Sequence, residues 1–196
     1  MHRADHGPEL MDGVTGPPTR IAVHGASGSG KTTLAAALSD RLGVGHTELD
    51  GLYHQPGWTE LPTEEFRAAV TGVVDGPGWV VDGNYRQVRD LVWARAQMVV
   101  LIALPRRQVM TQLMRRSGTR STVGAELWNG NRESWANLLS TDEQRNVVLW
   151  SWRTHHRYHG ELQDEARASA PHARLVTLSD RRAVRAFPGR LSAGRI

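Results

Sequence analysis

The chain has no cysteine and a single lysine, Lys31, beside 23 arginines among its 196 residues. Without cysteine there is no disulfide and no thiolate metal site. No apolar run approaches the roughly 20 residues that a membrane-spanning helix needs. The opening segment, residues 1–18, lacks the apolar core of a signal peptide. It is polar, carries Gly and Pro, and shows no periodicity, so it is expected to be a disordered tail. These absences lead us to expect a cytoplasmic protein with no membrane partner, with residues 19–196 as a single domain.

What is present is unevenly placed. Residues 1–100 carry eight Lys/Arg against twelve Asp/Glu, whereas residues 101–196 carry sixteen against eight. A basic half suits either a nucleic-acid partner or a site that grips small phosphates. Short apolar runs alternate with amphipathic stretches along the chain. Strands are predicted at 20–25, 46–50, 79–83, 98–105 and over ARLVTLSD, from 173. Helices are predicted from Lys31 to a stop at Gly43, from Thr63 as N-cap through Val74, and from Arg106 to a stop at Gly118. A further long helix opens with the capping box TDEQ at 141–144 and runs to about Ala168, and a closing helix follows the last strand. Apolar strands alternating with helices predict an α/β fold: a three-layer α/β/α domain around a five-stranded parallel sheet. Residues 116–140 fit the pattern least and are read as a lid segment.

The strongest motif is GASGSGKT, which matches G-x-x-x-x-G-K-[ST] between an apolar strand and an amphipathic helix. Gly25, Ala26, Ser27, Gly28, Ser29 and Gly30 form a loop whose backbone N–H groups can surround phosphate oxygens. Lys31 reaches the β- and γ-phosphates, Thr32 offers a hydroxyl to Mg²⁺, and Thr33 continues the helix N-terminus that favours anions. ATP and Mg²⁺ are the expected cofactors. Asp50 and Asp82 each end a predicted strand and precede a glycine. In an open α/β sheet ligands lie at the carboxyl ends of strands. One aspartate would therefore hold Mg²⁺ or its waters, and the other would accept a proton from, or orient, an acceptor hydroxyl.

VVDGNYR resembles the LDGFPR segment of adenylate kinases: Asp82, Gly83 and Arg86 keep the spacing, with Asn84 and Tyr85 in place of Phe-Pro. Together with GASGSGKTTLAAAL, LDGLYHQPGW and LIALPR it is most similar to the DNA topology modulation proteins, adenylate-kinase-like P-loop proteins, over about residues 20–190. The resemblance implies that Asp82 acts near Mg²⁺ and that Arg86 holds a phosphate. It also implies that Arg115, Arg116 and Arg120 belong to a lid that closes over the phosphates. Counted from Pro105, the first lid arginine of adenylate kinases falls on Gln112, and only Arg116 aligns with the second. The implied activity is transfer of the ATP γ-phosphoryl group to a small-molecule or nucleotide acceptor. The family's name and the basic second half leave an alternative: an ATP-dependent DNA-binding protein that affects DNA topology. His155 and His159, four residues apart, are read as polar helix surface, and Trp128, Trp135, Trp150 and Trp152 as lid packing.

Overall fold

In the computed structural model, residues 16–123, 126–131, 147–155 and 160–192 are described below. Among the described residues the strands are β1 (Arg20–Gly25), β2 (Gly45–Glu48), β3 (His54–Gln55), β4 (Thr59–Glu60), β5 (Trp79–Asp82), β6 (Met98–Ile102) and β7 (Arg174–Leu178). The helices are α1 (Lys31–Leu42), α2 (Leu49–Tyr53), α3 (Thr63–Val74), α4 (Arg86–Arg95), α5 (Arg106–Val123), α6 (Val147–Thr154), α7 (Glu161–Ser169) and α8 (Arg181–Ser192). Five strands form a sheet in the order β2-β5-β1-β6-β7, every pairing parallel. β3 and β4 form a separate antiparallel pair.

Why the central strands are apolar throughout follows from their position. β1, β5 and β6 are flanked on both edges and covered on both faces, so both side-chain directions are dry. Ile21, Val23, Val80, Val81, Val99, Val100 and Leu101 are all buried. Each such side chain contributes roughly 1.5–3 kcal/mol relative to exposure. On one side α1 packs against β1, β2 and β5 and against α8; α4 packs on β1, α3 and α7. Leu34, Ala35 and Leu38 supply the buried stripe of α1, and Phe66, Val70 and Val74 that of α3. This is the expected α/β architecture with its five-stranded parallel sheet.

Several boundaries differ from expectation. β2 ends at Glu48, and Asp50 lies within the short helix α2 rather than at a strand end. Pro62, not Thr63, occupies the N-cap position of α3. Gly43 does stop α1, in the left-handed region at φ 67°, with its N–H bonded to the Ser39 carbonyl at 2.9 Å. Gly118, in contrast, does not stop α5, which continues to Val123; one glycine costs a helix only about 1 kcal/mol. The first part of the expected lid is thus helical. The expected long helix towards Ala168 is not one helix: α6 ends at Thr154 and α7 opens at Glu161, with Gly160 at its N-cap in a non-helical conformation, φ −159° and ψ −68°. Its capping box at 141–144 lies outside the described residues, as does most of the tail at 1–18. α4 and the β3–β4 pair are additional elements that the strand-and-helix reading did not contain. Among the described residues no helix is long and apolar enough to cross a membrane.

Candidate active site

β1 delivers the chain to Gly25 and α1 starts at Lys31, so the phosphate-loop motif forms the turn between them. The Ser29 N–H closes that turn on the Ala26 carbonyl at 3.0 Å. Gly28 and Gly30 adopt φ of 85° and 92°, which glycine alone enters without strain. Space is as restrictive as conformation. A Cβ on Gly28 would lie 2.7 Å from Leu113 Cβ and 2.9 Å from the Val109 carbonyl, and one on Gly25 would lie 2.5 Å from Ser29 Oγ. The hydroxyl of Ser29 is buried with no hydrogen-bond partner, an orphan donor of the kind an oxyanion satisfies. Lys31 is 9% exposed at the first helical position, Thr32 is half-buried, and Thr33 points to solvent. Ser151 of α6 donates its hydroxyl to the Ser27 carbonyl at 3.3 Å, which brings α6 against the loop.

β5 carries Asp82 to the same place. Its carboxylate is 2% exposed. One oxygen accepts the Thr32 hydroxyl at 3.2 Å and the other meets His46 Nε2 at 2.8 Å. The hydrogen bond to Asp82 is the main reason the His46 imidazole holds its proton above the ordinary histidine range. The neighbouring strand puts Glu48 directly beside Asp82 in register. Burial, and then the Asp82 charge, raise the Glu48 carboxyl above its usual pKa. Asp50 instead reaches the N-cap residue of α4: Tyr85 Oη donates to Asp50 Oδ1 at 2.7 Å. Burial first, and then the Asp50 charge, push the Tyr85 phenol far up.

An aromatic wall stands beside these carboxylates. The Tyr53 ring packs on Tyr85 at 4.6 Å and on Phe66 at 5.1 Å, and His54 packs edge-on to Trp58 at 5.3 Å. Residues 126–131, expected in the lid, dock here. Trp128 Nε1 donates to Glu48 Oε2 at 3.2 Å. Asn129 Nδ2 donates to the Gly51 and His54 carbonyls, and Asn131 Nδ2 to that of Gln55. Asn131 Oδ1 accepts the Trp58 N–H. A Cβ on Gly51 would sit 2.8 Å from the Trp128 indole, so the glycine makes room for that ring. The remaining tryptophans divide: Trp152 is 51% exposed under the Arg106 guanidinium, while Trp135 and the Trp150 side chain lie outside the described residues.

Of the expected arginines, Arg86 is exposed at the first residue of α4, Arg115 is exposed on α5, and Arg116 is half-buried on α5. Arg120 lies on the last turn of the α5 backbone, and its side chain is outside the described residues. Gln112 Nε2 lies 3.9 Å from where a Gly30 Cβ would be, over the phosphate loop. The buried arginine of the NYRQVR stretch is Arg89, 8% exposed, which the sequence pattern did not single out. It binds Glu165 Oε2 at 2.6 Å and Asn84 Oδ1 at 2.7 Å. His155 is not surface: it is 5% exposed and bonds the Leu104 carbonyl at 2.9 Å, while His159 lies outside the described residues. Across β1 from the carboxylates, Arg107, Gln108 and Thr111 of α5 and Asp180, Arg181 and Arg182 line an open, basic hollow.

No protein-family model matches the chain, and no curated protein matches it. Solved structures do. The chain is similar to a gluconokinase from Sinorhizobium meliloti 1021, with 17% identity, a TM-score of 0.54 and coverage of 92% of this chain and 93% of that one. It is similar to the shikimate kinase from Acinetobacter baumannii in complex with shikimate, at 16% identity and TM-score 0.54, covering 90% and 91%. The shikimate kinase from Bacteroides thetaiotaomicron matches at 15% identity and TM-score 0.52, covering 90% and 97%. The likeness is one of architecture: an α/β chain with a five-stranded parallel sheet, in the fold that these P-loop kinases share.

Proposed function

We propose that the chain is a P-loop kinase that moves the γ-phosphoryl group of Mg²⁺-ATP to a hydroxyl of a small acceptor. The observation that carries this reading is the contact of Thr32 Oγ1 with Asp82 Oδ1 at 3.2 Å, which joins the phosphate loop to a buried strand-end carboxylate. The likeness to gluconokinase and shikimate kinases supports it. Thr32 and Asp82 fit Mg²⁺, a hard cation that takes one or two protein oxygens and leaves the rest to water and phosphate. Among the described residues no group of three or more acidic or histidine side chains gathers as a metal cage of its own. Bound there, the ion would draw charge from the phosphate oxygens.

The protein's own groups do the rest. The loop N–H groups and Ser29 Oγ bind phosphate oxygens, and Lys31 follows the transferring group as a compact charge on a flexible stem. Two substrate sides are proposed from the order of the sheet. β5 and β2 lie on one side of β1 and carry Asp82, Glu48 and, through α2, Asp50; β6 and β7 lie on the other and lead to the basic hollow. The acceptor therefore docks between Glu48, Asp50 and the Tyr53–Tyr85–Trp128 wall, and the nucleoside lies towards Arg107 and Arg181. Glu48, whose proton affinity is raised, takes the proton of the acceptor hydroxyl, and Asp50, held by Tyr85, orients it. Arg86, Arg115, Arg116 and Arg120 supply positive charge to the transferring oxygens. The resemblance to the DNA topology modulation proteins belongs to this proposal, and no matching family model supports it.

The test is a phosphoryl-transfer screen with γ-labelled ATP over sugars, sugar acids, hydroxylated ring acids, nucleosides and nucleoside monophosphates. Labelling of one small hydroxylated acceptor above background hydrolysis is expected. Labelling of none sinks the kinase reading, and salt-sensitive binding of duplex DNA with no transfer would favour the DNA-binding alternative.

A further inference from the structure

His24 is the residue immediately before Gly25, and it is buried in the centre of the sheet. Both of its ring nitrogens are occupied. Trp93 Nε1, on α4, lies 2.8 Å from His24 Nε2, and His24 Nδ1 lies 2.6 Å from the Gly83 carbonyl oxygen. An indole N–H can only donate and a carbonyl can only accept. The contacts therefore fix the ring as the neutral tautomer protonated on Nδ1. The two rings meet edge to face, 5.7 Å apart at 80°. The recipient of the relay is the residue after Asp82. Gly83 is gripped twice by β1, since its N–H also bonds the Val23 carbonyl at 3.3 Å. It is at φ 139°, and a Cβ there would lie 2.7 Å from Leu49 Cβ. Behind the relay, the Arg89 guanidinium sits 5.3 Å over the Trp93 ring and binds Asn84, next to Gly83, as well as Glu165 on α7.

We propose that His24 is a positioning residue for phosphoryl transfer: clamped between the Trp93 indole and the Gly83 carbonyl, it holds the turn after Asp82 in register with the root of the phosphate loop. The role rests on the kinase reading above, because the register matters only if Asp82 and the loop serve one reaction. Nothing in the relay exchanges protons with substrate. The charged groups that face the ring are Arg89 from α4 and Lys31 from α1, and both disfavour a second proton on it. Leucine in its place would leave the Trp93 N–H and the Gly83 carbonyl buried and unpaired. The Asp82 carboxylate would then be free to shift relative to Thr32, and a displacement of about 1 Å at a reacting centre costs on the order of 10²-fold in rate.

Three measurements on the full chain test this. In ¹⁵N-histidine NMR, His24 should show the Nδ1–H tautomer from pH 5 to 8; an Nε2–H tautomer, or titration in that range, overturns the clamp. In hydrogen exchange, the Gly83 amide should exchange at least about tenfold faster in His24→Leu, and His24→Asn, which keeps an N–H near the Nδ1 position, should restore most of the protection. In labelled-phosphate release from Mg²⁺-ATP, His24→Leu should lower kcat by about 10–100-fold with KM for ATP within about twofold, and His24→Asn should recover most of the loss. Equal kcat in all three proteins, or an Asn variant no better than Leu, refutes the positioning role. Trp93→Phe takes the place of His24→Leu if that variant does not fold, with the same expected split of kcat from KM. Absence of phosphate release from the wild type means only that ATP is not hydrolysed without an acceptor, and failure of the kinase reading is read from the acceptor screen; the tautomer and exchange measurements still decide whether the clamp exists.

Discussion

Lys31→Ala removes the only cation inside the phosphate loop, and it should lower phosphoryl transfer by about 10²–10³-fold while circular dichroism and Tm stay near those of the wild type. Transfer within about threefold of wild type would displace the loop from the centre of the chemistry. Asp82 makes a second residue-scale prediction through its neighbour. His46 holds its proton because Asp82 accepts a hydrogen bond from it. Asp82→Asn should therefore return the His46 titration, followed by NMR, towards 6.5 and reduce transfer by a similar about 10²–10³-fold. An unmoved His46 titration would mean that another group holds its proton. Lys31 and Thr32 were legible because the motif that contains them is contiguous in the chain. His46 and Glu48 were not, because they are more than thirty residues from Asp82 and reach it only through the parallel pairing of β2 with β5. The same holds for His24 and Trp93, which are 69 residues apart and look, in the sequence, like an unremarkable residue of an apolar strand and one of a stretch with no element assigned.

Among the elements, the wall formed by 48–60 and 126–131 has the most to lose from a small change. Gly51→Ala should push the Trp128 indole off α2 and break its bond to Glu48. The measurable outcome is a shift of the Trp128 indole N–H resonance and loss of acceptor affinity, with Mg²⁺-nucleotide binding unchanged; an unshifted resonance would mean that the backbone yields instead. Two non-glycine residues of this wall, Trp58 and Asn129, sit at φ of 61° and 56°. Such conformations cost about 1–3 kcal/mol each and persist because Asn129 and Asn131 bond across to the 51–58 backbone. Tyr53, His54 and Trp58 could be read as an acceptor wall because they follow Asp50, but the docking of 126–131 against them was not legible locally. WNGN reads as a turn, and only the fold shows which segment it meets. α4 was legible in principle, since Val88 and Val92 repeat at helical spacing and are buried; the aspartate-glycine motif just before it drew the reading to the loop. β2 was over-extended because Leu49 and Asp50 continue the apolar-polar alternation of a strand, although burial of Leu49 is met equally by a turn of helix.

At the scale of the whole molecule, two of the described histidines shift in opposite directions. Burial above all lowers His24 to about 4, so folding disfavours its proton. Its contribution is present above the unfolded value near 6.5 and is lost as pH falls from about 6.5 to about 4. His46 is raised, so its contribution is full below about 6.5 and is lost as pH rises through the folded value. Glu48, also raised, works against His24, because its proton is favoured in the folded state as pH falls. Complete burial gives His24 the larger effect. Tm is expected to fall steadily from pH 6.5 to 4, with a shallower fall in His24→Asn; parallel slopes in the two proteins would refute the assignment. The layered α/β fold itself was open to sequence reasoning, because fully buried parallel strands must be apolar on both sides and their helices must alternate with them.

The burial of Lys31 has a further consequence for covalent chemistry. Apart from the chain terminus, this sequence has one amine, on Lys31, a residue 9% exposed at the end of the turn where the triphosphate is proposed to lie. Amine-directed reagents thus have a single side-chain target, partly shielded by the fold and closed further by any anion seated over it. An acylating reagent can report occupancy of the phosphate loop as the yield of one modified peptide, without a background from surface lysines.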